Sequence, residues 1–311
     1  MSDVRGGADA DIDVFERADT DESQEQDERW VILPAAGMLS IADADGLLRW
    51  RDASVVAVVG ERNGGKTTLV TELYERFLRG PFADALFRHS LSLLGFERKS
   101  FQSRMESGGE RPDTPRTSKQ DGLTFFHLGL TDAADLRSTD LLLSERAGEV
   151  YREVRDKPAE ATELIEIRRA RTVVFIVDGE RVADDRRRAE AFASVRNIAR
   201  AIADSGVVSP ETALQAVTTK CDLLTGDESA AALEALTSFE EVFIAQYASR
   251  FASAATYRTA ARDPQGAFAA GHGLAPLLRS WLNPPTTAPR PAAVMPELVD
   301  EFDRLLLRGG L

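Results

Sequence analysis

Gly60, Gly65, Lys66 and Thr67 stand in the spacing Gly-x4-Gly-Lys-Thr within "GERNGGKTTLV" (60–70). These residue types at this spacing suit a polyphosphate. Glycine lets the backbone close round an anion, and successive N–H groups plus a helix N-terminus then face it. The pattern places Gly60, Asn63, Gly64, Gly65 and Thr68 in the cradle. Lys66 would bridge the β- and γ-phosphates, and the Thr67 hydroxyl would ligate Mg2+. A merely solvated lysine at a helix start would oppose the helix dipole, so that account of Lys66 is the poorer one.

A second short pattern addresses the base. "TTKCD" (218–222) holds Thr219-Lys220-x-Asp222. A carboxylate at Asp222 would accept two hydrogen bonds from guanine, a donor pair that adenine lacks, while the stem of Lys220 covers the ring. Thr259 and Ala260, in "TAA" (259–261), are placed to offer backbone N–H groups to the guanine O6. Between the two patterns lies "LLLSERAGEVY" (141–151). There Gly148 would turn its N–H to the γ-phosphate and Glu145 would hold Mg2+ through water, with Glu149 next in the chain. The polar stretch "RPDTPRTSKQDG" (111–122) has the composition of a mobile switch. Thr117, nearer the following strand than Thr114, is the candidate to cap the Mg2+ shell. Arg62, Arg116 and Arg146 are candidate cis arginine fingers, each set against a solvated or structural role.

These residues need a scaffold, and the hydrophobic pattern describes one. "SVVAVVG" (54–60) is a continuous apolar run of the buried parallel kind, followed by helical spacing of Leu69, Leu73, Phe77 and Leu78 up to Gly80. "GLTFFHLGL" (122–130) and "STDLLLSE" (138–145) read as an antiparallel hairpin. "RTVVFIVDG" (171–179), "ALQAVTTKCDLL" (213–224) and "ATYRTAA" (255–261) read as further strands. They alternate with helices over about 184–204, 230–251 and 273–282. The alternation predicts an α/β fold: the three-layer P-loop NTPase architecture, a mostly parallel sheet with helices on both faces.

Residues 52–283 account for that domain. An N-terminal extension (30–51) precedes it, with a short strand near 29–37 and then a polar link. A Pro-rich linker (284–296) and an amphipathic C-terminal helix (297–311), with Leu298, Phe302, Leu305 and Leu306 on one face, follow it. Residues 1–29 hold eleven acidic and three basic residues, the composition of a disordered, solvated tail. The net charge of −13 argues against nucleic acid as a partner. No apolar run approaches the roughly 18 residues of a membrane span. A single cysteine, Cys221, excludes an internal disulfide and fits a reducing, cytoplasmic setting. It reads as packing beside the base pocket. The three histidines, His89, His127 and His272, show no metal-ligand spacing along the chain.

With these residues assembled, the chain resembles the Ras-like P-loop GTPases, and more narrowly the bacterial double-GTPase (DO-GTPase) family. "GERNGGKTTLV", "SLSLLGFERKSFQSR" (90–104), "DTPRT" (113–117), "LLLSERAGEVY" and "VTTKCD" carry the resemblance. It implies GTP binding and hydrolysis, with Lys66 and Thr67 at the phosphates and Lys220 and Asp222 at the base. It also implies a protein partner: a second GTPase, an activator or an effector in a bacterial regulatory or conflict system. Two positions depart from the pattern. The metal-side acid is glutamate (Glu145) where aspartate is usual, and Glu149 stands where glutamine often does. A carboxylate near a γ-phosphate is repelled by it, so slow hydrolysis is expected. A nucleotide-binding scaffold with little hydrolysis is the alternative, and an ATPase or kinase is disfavoured by "TTKCD".

Overall fold

A computed structural model describes residues 36–106, 122–263 and 266–284, without the side chains of 102–106. The apolar run of strand β1 (Ala53–Val59) is buried at every position, so it must be covered on both faces. Helix α2 (Lys66–Phe77) covers one face, following β1 through the loop 60–65. The antiparallel hairpin forms as predicted, from β3 (Thr124–Asp132) and β4 (Ser138–Glu145), with Thr124 opposite Glu145. Strands β5 (Ala170–Asp178), β6 (Ala213–Thr219) and β7 (Ser253–Arg258) complete the parallel set. With the edge strand β2 (Ala85–His89), antiparallel to β3, the seven-stranded order is β2-β3-β4-β1-β5-β6-β7.

Alternation along the central strands sorts two cores. Val56 and Val58 point to a core shared with Leu69 and Leu73 of α2 and with Leu278 and Trp281 of helix α9 (Leu274–Leu282). Ala57 and Val59 point the other way, to Tyr151, Ile198, Phe239 and Phe243. These last belong to helices α4 (Gly148–Asp156), α7 (Arg188–Asp204) and α8 (Ala230–Tyr247). Each such leucine or phenylalanine contributes about 1.5–3 kcal/mol by leaving water. The fold is therefore a three-layer α/β P-loop architecture. Because β1, β4, β5, β6 and β7 run parallel, their carboxyl ends bring Gly60, Glu145, Asp178 and Thr219 to one sheet edge.

Several elements differ from the sequence reading. The supposed polar link folds as helix α1 (Ile41–Trp50), started by a capping box in which Ser40 and Asp43 bond each other's backbone N–H groups. The insert after α2 contains β2 and helix α3 (Leu93–Glu106). Short helices α5 (Ile165–Arg169) and α6 (Gly179–Ala183) flank β5. Strand β6 stops at Thr219, because Lys220 takes a left-handed conformation (φ 51°) and Cys221–Leu223 turn as a 3-10 helix. Most of the expected strand at 29–37, the switch residues Thr114, Arg116 and Thr117, and the linker and C-terminal segments after 284 lie outside the described residues.

Candidate nucleotide site

The loop between β1 and α2 is shaped before any ligand enters it. Gly65 caps α2 at φ 87°, a left-handed conformation that favours glycine, and Asn63 is also left-handed at φ 61°. Lys66 is buried and folds back over the loop, donating to the carbonyls of Gly60 (2.9 Å) and Glu61 (3.0 Å). Burial pulls its ammonium below the ordinary lysine range, against the carboxylates of Glu145, Glu149 and Glu61. A cation held this way over a ring of N–H groups is an anion site with its countercharge preset. The Thr67 hydroxyl donates to Glu145 Oε1 at 2.6 Å. These two hard oxygen donors, side by side at the helix start, form a set that fits Mg2+.

The base motif is tied directly to this loop. Thr219 donates its hydroxyl to Gly64 O (2.7 Å), and Lys220 Nζ donates to Asn63 O (2.8 Å). Lys220 is further held by Asp178 (3.0 Å) and Glu180 (2.8 Å). Burial opposes its charge, but those two carboxylates outweigh it and raise its pKa. Asp178 and Glu180 are partners of Lys220 that the sequence reading missed. The signal was present in the carboxylate closing the strand "VVFIVD".

Asp222 is buried, and its Oδ1 has no hydrogen-bond partner among the described residues. Burial raises its pKa, the Asp263 carboxylate adds to the shift, and Lys220 opposes it. An orphaned buried carboxylate oxygen costs on the order of 1–3 kcal/mol, a cost that a hydrogen-bond donor at this position would remove. Cys221 lies beside it, its N–H on Thr259 O (3.1 Å) and its thiol pushed up to about 11 by burial. That places Cys221 in a packing role.

The expected O6 contacts need correction. The Thr259 N–H donates to Thr218 O (2.7 Å), and the Ala260 N–H donates to His272 O (3.1 Å). Both donors are therefore engaged by the protein, Thr259 by the end of β6 and Ala260 by an isolated bridge to His272.

At the γ-phosphate end, Gly148 starts α4 directly against the phosphate loop. A Cβ there would overlap the Arg62 backbone nitrogen, so only glycine permits this approach. Glu149 sits half-buried in the first turn. The arginine candidates separate. Arg62 is exposed, while Arg146 is paired at 3.0 Å with the fully buried Glu166, which also accepts from Tyr151 (3.0 Å). That pairing gives Arg146 the structural role that the sequence reading set against a finger. Two arginines absent from the sequence reading, Arg155 and Arg181, both bond the loop residue Glu61.

His89 and His127, separate in sequence, meet Asp140 on the β2–β3–β4 face. His127 Nδ1 accepts from the Leu91 N–H (3.0 Å), so the ring proton sits on Nε2 and faces Asp140 Oδ1 (3.0 Å). Arg88 occupies the same oxygen at 2.9 Å. The cluster is thus a satisfied hydrogen-bond network with its cation already present, which removes the case for a metal there.

The model of a protein family described as Double-GTPase 2 matches residues 54–282. No curated protein matches the chain. Similar solved structures include the bacterial selenocysteine-specific elongation factor EF-Sec, at 16% identity and a TM-score of 0.37 over 75% of this chain and 28% of that one. The S. cerevisiae Ski7 GTPase-like domain bound to GTP matches at 13% identity and 0.38, covering 80% and 51%. The same domain bound to GDP and inorganic phosphate matches at 15% and 0.35, covering 86% and 51%. The chain therefore spans from about a quarter to half the length of these structures. Among the described residues, no helix is long and apolar enough to cross a membrane.

Proposed function

Because the chain belongs to the Double-GTPase 2 family, we propose that it binds GTP and GDP with Mg2+ and slowly hydrolyses GTP to GDP and phosphate. In this reading it is a cytoplasmic conformational switch, read by a protein partner such as a second GTPase or an activator. The observation that carries the guanine assignment is the unpartnered, buried Oδ1 of Asp222, one strand end away from the preset phosphate loop. The guanine N1–H and amino group supply the missing donors.

Lys66 leaves the Gly60 and Glu61 carbonyls to span the β- and γ-phosphates, and the Gly148 N–H meets the γ-phosphate. Thr67 and Glu145 would hold the Mg2+, with Thr117 as the candidate third group, and the bound ion would supply charge neutralisation for phosphoryl transfer. Glu149 would orient the attacking water, and its negative charge beside the γ-phosphate accounts for a slow step.

A nucleotide-binding scaffold with little turnover is the second reading. It is favoured by the commitment of Arg146, Arg155 and Arg181 to carboxylates, which leaves these three unavailable as cis fingers. Equilibrium titration with fluorescent GTP and ATP, followed by single-turnover phosphate release, tests both. The expected result is GTP tighter than ATP by at least about ten-fold, with slow release of phosphate. Tighter ATP binding overturns the guanine assignment, and tight GTP binding with no release selects the scaffold.

A further inference from the structure

The Glu61 carboxylate joins three parts of the molecule. Its Oε1 accepts from Arg155 Nη1 of α4 at 2.7 Å, and its Oε2 accepts from Arg181 Nη1 of α6 at 2.6 Å. All three side chains are largely buried, at 18%, 18% and 13% exposure. Glu61 belongs to the phosphate loop, whose carbonyls at Gly60, Glu61, Asn63 and Gly64 accept from Lys66, Lys220 and Thr219. Arg155 lies two turns along the helix that begins at Gly148, and Gly148 itself rests on the backbone of the residue after Glu61. The helix is thus pinned to the loop twice, once by backbone contact and once by an ion pair. Neither arginine depends on Glu61 for its place: Arg155 also bonds Asp156 (2.8 Å), and Arg181 also bonds Glu190 (3.3 Å).

We propose that Glu61 is a positioning residue, a latch that holds α4 on the phosphate loop through Arg155 so that Gly148 stands at the γ-phosphate position before the nucleotide arrives. The proposal rests on the GTP-binding reading above and adds to it how the γ-phosphate is sensed. With the latch closed, GTP meets a helix already in place. With the latch open, GTP must first recruit α4, whereas GDP, lacking the γ-phosphate, has no use for it. An affinity that depends on a fractionally populated state falls by that fraction, so opening the latch weakens GTP selectively.

The test uses the full chain with Glu61→Gln, Arg155→Met and the double variant. The remote exposed pair Arg250–Asp204, broken by Arg250→Ala, serves as the control. Affinities for GDP and a non-hydrolysable GTP analogue are measured together with hydrogen exchange of the 148–156 amides in nucleotide-free protein. Each single variant is expected to lower the GTP-to-GDP affinity ratio by about three- to ten-fold. The double variant should do no more, and α4 exchange should quicken in all three. Equal weakening of both nucleotides, additive single effects, or unchanged exchange in α4 overturns the latch. If the wild-type chain binds no guanine nucleotide, the functional reading falls, while the exchange measurement still decides whether Glu61 pins α4.

Discussion

The two ends of the candidate site are built to opposite plans. At the base end the protein leaves one group waiting: Asp222 Oδ1 is buried and unpartnered, while its surroundings are fixed by Thr219 on Gly64, Lys220 on Asn63 and Cys221 on Thr259. At the γ-phosphate end many charged groups are satisfied by one another. Thr67 is on Glu145, Arg155 and Arg181 are on Glu61, and Arg146 is on Glu166. An orphaned acceptor is a standing cost that a ligand removes, whereas a satisfied ion pair must be broken before its members can act. Within the proposed GTP-binding function, the contrast favours binding over turnover.

The largest expected effect falls at the base end. Asp222→Asn replaces an acceptor-only carboxylate with an amide whose oxygen can still accept from N1–H but whose NH2 would oppose the guanine 2-amino group, donor against donor. GTP affinity should fall by about ten- to a hundred-fold, the worth of a charge-assisted pair of bonds, and preference should move to xanthosine triphosphate. Competition between the two nucleotides for the variant measures it. Unchanged selectivity would place the base elsewhere and dissolve the contrast between the two ends.

A smaller effect is expected at the other end. Glu149 is close enough to Lys66 for its charge to oppose the lysine's loss of a proton, which puts it in the electrostatic field of the phosphates. Glu149→Gln removes the repulsion and keeps the hydrogen-bonding shape. Single-turnover hydrolysis should rise, by about ten-fold at most, with GDP affinity little changed. A slower variant would mean that the carboxylate itself serves as a base, so this end would be catalytically complete.

The two ends also differed in how well the sequence revealed them. The phosphate loop and "TTKCD" are contiguous and follow buried β-branched runs, so local spacing was enough to place Lys66, Thr67, Lys220 and Asp222 on one sheet edge. The ion pairs at the γ-phosphate end join residues 94 and 120 positions apart, as Glu61 does with Arg155 and Arg181, and no local pattern announces them. For the same reason no local pattern named what holds Arg146, whose partner Glu166 lies in a five-residue helix without a periodic stripe. Helix α1 was missed although Ser40-x-x-Asp43 spelled out its cap, because Asp43 and Asp45 interrupt the apolar face of Ile41, Leu47 and Leu48. Edge strand β2 is exposed at three successive residues and so lacks the alternation that marks a half-buried strand.

The smallest expected effect is a pH dependence, and its sign follows from Asp222. Burial raises this carboxyl above its unfolded value, so in the free protein the proton is favoured by folding. The stability from that proton is fully present below the unfolded pKa and is lost as pH rises through the folded one. Guanine binding needs the ionised form and works against the proton, so affinity for GTP should fall as pH drops through the raised pKa. The decline should begin at a higher pH than an ordinary aspartate would give. Between neutral pH and about pH 5 the change should be no more than a few-fold. Titrations of wild type and Asp222→Asn across that range separate the cause, since the slope belongs to the carboxyl and should vanish in the variant. A slope that persists there would take the pH dependence away from Asp222 and remove this difference between the two ends.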